Sequence, residues 1–212
     1  CGDLINKAAD GQSWIDFKRI KSGFKIPCHC AAGNHDVENK PTAKSLKIYR
    51  EEIGADYYSV DHKGFTFVVV NTQLWKAPLA GESEKHDAWF RETLALAKER
   101  SRPVVVVGHY PLFVKDPEEK EHYSNLPLEK RREILELCEA NGVVAFLAGH
   151  THRLVINEHK GIQMVNGETT SRNTDGRPMG FRWWDVADDM KMQHRFVAVE
   201  GMGRIETDDI DG

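Results

Sequence analysis

The stretch Val143-Val144-Ala145-Phe146-Leu147-Ala148-Gly149-His150-Thr151-His152 decides how the chain is read. Its first part is a short, continuous apolar run, the pattern of a strand buried on both faces of a parallel sheet. Gly149 then permits a sharp turn, and two imidazoles follow it. In extended backbone, residues two apart project to the same side, so His150 and His152 are expected to serve one metal ion or two adjacent ones. The same order recurs upstream. Pro103-Val104-Val105-Val106-Val107-Gly108 leads to His109, and Phe24 to Ala31 reads as a strand leading to Gly33-Asn34-His35-Asp36. Cys1-Gly2-Asp3-Leu4 reads like the end of one more strand. Open α/β sheets bind ligands where the carboxyl ends of their strands meet, so these clusters are expected to converge on one crevice.

Outward from these runs, strand-like and helix-like patterns alternate, which argues for an α/β layered sandwich. Tyr57 to Asp61 and Phe65 to Asn71 read as strands joined by a turn at His62-Lys63-Gly64. Lys40 to Ile53 reads as a helix stopped by Gly54. Glu82 to Arg100 reads as an amphipathic helix through Trp89, Leu94, Leu96 and Ala97, and Leu128 to Ala140 as one closed by Asn141-Gly142. Lys115 to Asn125 carries charges of both signs without an apolar period, so it is expected to be a surface loop, with a lid as the functional alternative. The remainder reads as strands only: Leu154 to Glu158, Ile162 to Val165, Phe181 to Val186 and His194 to Val199. Phe181, Trp183 and Trp184 are expected to be sheet-packing residues. One domain over residues 1–204 and a frayed acidic tail over 205–212 are expected.

Composition narrows the function classes. With 212 residues, 29 Lys and Arg against 33 Asp and Glu, and a net charge of -4, the chain lacks the basic excess of an extended nucleic-acid binder. No apolar run approaches the ~18 residues needed to span a bilayer, so a soluble protein is expected, its compartment left open, with the cytoplasm favoured and a targeting signal upstream as the alternative. Four cysteines do not form the framework of a disulfide-stapled domain. Cys28 and Cys30 are expected to be small buried residues on a strand.

Imidazole, carboxylate and amide side chains gathered at strand ends suit a divalent transition metal. Gly2-Asp3, Gly33-Asn34-His35-Asp36, Gly108-His109 and Gly149-His150-Thr151-His152 resemble the ordered motifs of the calcineurin-like metallophosphoesterase superfamily. Within it, Gly108-His109-Tyr110-Pro111-Leu112-Phe113, Val70-Asn71-Thr72-Gln73 and the C-terminal strands look most like the calcineurin-like phosphoesterase domain-containing serine/threonine phosphatases. The resemblance implies two mixed sheets in a sandwich flanked by helices, and two divalent metal ions of the Mn, Fe, Zn or Mg kind. By the same resemblance Asp3 bridges the two metals, Asn34, His109 and His150 ligate the second, and His152 ligates the first. His35 would stand near the leaving-group oxygen, with Asp36 orienting it, while a metal-bound hydroxide attacks phosphorus in line.

The family's Asp-x-His motif, which would lie upstream of Gly2-Asp3, is not in this sequence. The expectation is therefore that the natural protein extends upstream, that this chain lacks the first strand of the fold, and that it holds one metal well. Hydrolysis of phosphomonoesters, on small molecules or phosphoprotein side chains, is the expected activity. A phosphodiesterase or nucleotide hydrolase, and a degenerate metal- or phosphate-binding module without turnover, are the alternatives. Tyr110, Arg153 and Arg172 are candidate contacts to the substrate, since an aromatic ring can wall a crevice and guanidinium groups match phosphate oxygens.

Overall fold

The computed structural model describes residues 1–187 and 191–199. Its centre is a six-stranded sheet in the order β1-β2-β3-β4-β6-β5, from β1 (Tyr58–His62), β2 (Phe65–Val69), β3 (Val104–Val107), β4 (Val143–Ala148), β5 (Val155–His159) and β6 (Ile162–Asn166). Strands β2, β3, β4 and β6 run parallel to their neighbours, while β1 and β5 close the two edges antiparallel. A second, antiparallel sheet pairs β7 (Gly180–Val186) with β8 (Met192–Ala198). The α/β fold with two sheets is thus present. The acidic tail expected over 205–212 lies outside the described residues.

The valine run of β3 shows why the sheet is buried on both sides. Val104 and Val106 face a core built with Phe90 and Leu94 of α5 (Glu82–Glu99) and Ile134 and Leu135 of α6 (Leu128–Ala140). Val105 points the other way, onto Phe65 and Ala145, where Met192 of the second sheet packs. On α5 the buried stripe is His86, Phe90, Leu94 and Ala97, so Leu96, expected inside, is 45% exposed. The hairpin between β1 and β2 turns on Lys63 and Gly64, both at positive φ (45° and 86°), which matches the right-handed twist of the paired strands.

A third cluster lies under α1 (Gly11–Lys21), α2 (Asn34–Val37) and α3 (Ala43–Glu52), with Trp14, Val37, Leu46 and Tyr49 buried together. Helix α3 starts at Ala43 rather than Lys40 because Pro41 precedes a cap: the Thr42 hydroxyl accepts from the Ser45 N–H, and the Ser45 hydroxyl accepts from the Thr42 N–H. The strand expected over Phe24 to Ala31 is not formed. Phe24 and Ile26 are 58% and 71% exposed, and no described strand pairs with this segment, so it gains no ladder of hydrogen bonds. Cys30 is buried and Cys28 half-buried, in extended but unpaired chain.

Among the described residues no helix is long and apolar enough to cross a membrane. The aromatic residues of β7 also depart from expectation. Phe181 and Trp183 are 43% and 49% exposed because a two-stranded sheet covers only one of its faces. Trp184, on the covered face, packs against His194 with ring centroids 4.5 Å apart.

The segment Lys115 to Asn125 is a surface loop, and it is firmly held. Arg131, fully buried on α6, donates from Nη1 to the carbonyls of Pro117 (2.6 Å) and Glu119 (2.9 Å), and from Nη2 to that of Leu126 (2.8 Å). The Glu119 carboxylate accepts from the N–H groups of Val114, Lys115 and Asp116 and from Asn125. Burial works to raise the Glu119 carboxyl, but these donors outweigh it and hold the group at about 2. Arg131→Met is expected to leave the three carbonyls unpaired and to lower stability by about 3 kcal/mol, read as a shift in the urea unfolding midpoint. A change under about 0.5 kcal/mol, the size of an ordinary surface substitution, would mean that water replaces the guanidinium at no cost.

Candidate metal centre

The loops after β3 and β4 carry His109 and His150 to Asp3 and Asn34, which lie in N-terminal segments that follow no described strand. His109 follows β3 by one residue and is buried. Its Nδ1 lies 2.7 Å from the Cys1 carbonyl, an acceptor, so Nδ1 carries the proton and Nε2 presents a lone pair. That Nε2 stands 2.9 Å from Asn34 Oδ1, 3.1 Å from His150 Nδ1 and 3.2 Å from Asp3 Oδ2. His150 Nδ1 is in turn 3.1 Å from Asn34 Oδ1. Ligand atoms bound at about 2.1 Å in tetrahedral or octahedral order stand roughly 3.0–3.4 Å apart. Acceptor atoms gathered at that spacing repel one another unless a cation lies between them, so the residues present fit a divalent metal ion.

The electrostatics favour the ligating forms. Burial, and next the neighbouring His109, push the His150 ring down to about 3, so it stays neutral. For Asp3, burial works to raise the carboxyl, but donors around it, the His35 N–H among them, outweigh burial and hold it at about 2. The Asp3 carboxylate accepts from the His35 N–H at 3.0 Å. Gly33 is required where Asp3 passes: a Cβ there would lie 2.2 Å from both the Asp3 nitrogen and its Oδ1.

His150 and His152 do not lie in extended backbone. Their φ values are +67° and +51°, and Asp3 has +54°, so three site residues occupy the left-handed region. His152 stands outside the group formed by Asp3, His109 and His150, whose ligand atoms lie within 4.8 Å of one another, although it lines the same cleft of about 410 Å³. Burial lowers its pKa as well.

His35 is exposed, and its Nδ1 donates to the Asn6 carbonyl at 2.7 Å. Asn6 therefore orients this ring, in place of the expected Asp36. The Asp36 carboxylate instead accepts from the N–H groups of Gly33 (2.8 Å), Leu4 (2.8 Å) and Ile5 (3.1 Å), tying the Asp3 loop to the Asn34 loop. Burial pushes its pKa up to about 6.

The expected substrate contacts are placed differently. Tyr110 is 1% exposed and lies against His150, with centroids 3.8 Å apart, so it supports the ligand rather than walling the crevice. Arg153 and Arg172 are exposed and do not line the cleft. The guanidinium that does is Arg182, already paired with both oxygens of Glu168 (3.0 and 2.7 Å). Thr72 escaped the sequence reading as a site residue. Its hydroxyl accepts from the backbone N–H groups of His109 (3.3 Å) and Tyr110 (2.9 Å), fixing the turn that carries the ligand. The only sequence signal was its place at the end of the Val70-Asn71-Thr72-Gln73 stretch.

Metal-capable side chains gathered where the parallel strands β3 and β4 end are the arrangement of an α/β protein with a divalent-metal site. The chain belongs to the calcineurin-like phosphoesterase family, whose profile matches residues 1–154. It is 30% identical over 224 residues to the human serine/threonine-protein phosphatase CPPED1, covering 100% of this chain and 71% of that protein. The Danio rerio protein of the same name is 32% identical over 175 residues, covering 78% of this chain and 56% of its own length. Among solved structures, GAP50, the anchor in the inner membrane complex of Plasmodium, shares the fold with a TM-score of 0.65 at 15% identity, over 98% of this chain and 74% of that one. The chain is accordingly a hydrolase of phosphoric esters that depends on divalent metal ions.

Proposed function

We propose that the chain is a phosphomonoesterase acting on phosphorylated protein side chains, with Asp3, Asn34, His109 and His150 as the ligands of one metal. The observation that carries this reading is that His109 Nε2 has Asn34 Oδ1, His150 Nδ1 and Asp3 Oδ2 within 2.9–3.2 Å, beside the exposed His35. His152, with the shared Asp3, is proposed for a second metal position. The relatives named as serine/threonine-protein phosphatases support a phosphoserine or phosphothreonine substrate. Mixed imidazole and oxygen donors suit Mn, Fe or Zn.

A divalent ion, when bound, withdraws charge from the phosphoryl oxygens and acidifies a water. The chain's own residues then supply orientation and a proton. With Nδ1 fixed on the Asn6 carbonyl, the His35 ring turns Nε2 outward, where its protonated form can donate to the departing alkoxide. Asp36 holds the two ligand loops at a constant separation through its three N–H contacts.

His35→Ala is expected to lower kcat by about 10²–10⁴-fold while manganese binding, measured by calorimetry, is unchanged. Unchanged kcat would remove His35 from the reaction and favour a binding module. On the unaltered chain, kcat/KM for p-nitrophenyl phosphate is expected to exceed that for its bis ester; the reverse order would sink the monoesterase assignment.

A further inference from the structure

We propose that Tyr123 is a specificity-determining residue, a fixed aromatic platform that selects phosphoesters whose leaving group carries a planar or apolar face. This rests on the phosphomonoesterase reading above. Three observations lead to it. The Tyr123 side chain is 61% exposed, yet its ring lies 4.7 Å from that of His150, one of the converging ligands. Tyr110 completes an aromatic cluster, tilted against His150 at 3.8 Å and edge-on to Tyr123 at 6.4 Å. An aromatic ring largely open to solvent beside a polar centre offers apolar contact area to a ligand.

The loop that carries Tyr123 is the reason to assign the ring a positioning role rather than treat it as an incidental surface residue. Either side of it the chain is fixed by side chains. The His122 carbonyl accepts from Lys76 (2.8 Å), the His122 N–H donates to Asn125 Oδ1 (2.8 Å), and the Ser124 N–H donates to His122 Nδ1 (3.1 Å). The Arg131 anchors hold the loop base. Such a loop does not close over a ligand as a lid would. It holds the ring 4.7 Å from that of His150, just outside the residues that line the cleft, so the ester substituent of a phosphoryl group bound at His150 would come within reach of the ring. Small alkyl leaving groups gain little from that contact, whereas a flat or apolar group gains stacking and burial.

Binding isotherms test this with the manganese-loaded chain and two probes that are not turned over: phenylphosphonate, which carries a ring, and inorganic phosphate, which does not. Tyr123→Ala is expected to weaken phenylphosphonate roughly three- to tenfold and to leave phosphate and manganese affinities unchanged. Tyr123→Phe, which keeps the face, is expected to retain phenylphosphonate binding. Equal weakening of both probes by Tyr123→Ala would show that the ring acts through His150, and no weakening of either would show that it touches no ligand; each result overturns the proposal alone. Failure of the unaltered chain to bind either probe would overturn the phosphomonoesterase reading itself.

Discussion

His109→Ala is expected to weaken manganese binding by more than about 100-fold and to reduce phosphatase activity to background. The lower bound comes from the 10–100-fold losses seen when merely outer-shell partners of metal ligands are removed; a direct ligand contributes more. His109 is the hub of the cluster, since its Nε2 is within 3.2 Å of Asn34, His150 and Asp3 alike. Its other nitrogen ties the ring to the Cys1 carbonyl, so its removal also frees the start of the Asp3 loop. The backbone at this point is held independently by the Thr72 hydroxyl, so the variant is expected to fold. Metal titration by calorimetry, with far-ultraviolet circular dichroism as the folding control, checks this. Metal affinity equal to that of the unaltered chain would show that the ligands lie elsewhere.

Gly33→Ala should act almost as severely, and through sterics alone. The added methyl would sit 2.2 Å from the Asp3 nitrogen and Oδ1, and 2.9 Å from its Cγ. Backbone cannot yield there cheaply, because Asp36 clamps Gly33 to Leu4 and Ile5 on either side of the contact. The relief available is to push the Asp3 carboxylate out of the cluster. The expected result is a loss of at least about 100-fold in manganese affinity, together with destabilisation of about 1–3 kcal/mol from overpacking, the second read from urea unfolding of the metal-free protein. Retained affinity would mean that the Asp3 loop can retreat as a body.

Much of the fold was legible because composition and secondary structure agreed. The apolar runs at 104–107 and 143–148 form buried parallel strands, and the Leu128 to Ala140 pattern forms a helix of those bounds. The apolar period of helix α1 is blurred, because Trp14 and Phe17 pack inward while Ile15 and Ile20 are 57% and 60% exposed, although Asp10 capping the N–H groups of Gln12 and Ser13 is a signal. The Phe24 to Ala31 segment has strand composition without a described partner strand. At the site, strand-end glycines pointed to the grouping of Asp3, Asn34, His109 and His150. Backbone sign was not legible: nothing in Gly149-His150-Thr151-His152 announces left-handed histidines. Nor could the placing of Tyr123 be foreseen, because the order of its loop depends on Arg131 reaching back from a helix that follows it.

Left-handed backbone at Asp3, His150 and His152 has a kinetic meaning as well as a geometric one. Such conformations cost of order 1–3 kcal/mol each, and the contacts of Asp36 with Gly33, Leu4 and Ile5 help to hold the loops in which Asp3 and Asn34 lie. The ligands therefore need little rearrangement at the moment of capture. A centre prepared in this way discriminates by ionic radius and preferred geometry, since it cannot relax to suit an ill-sized ion. It also takes up the right ion at a rate governed by the loss of that ion's water shell, with loop motion contributing little.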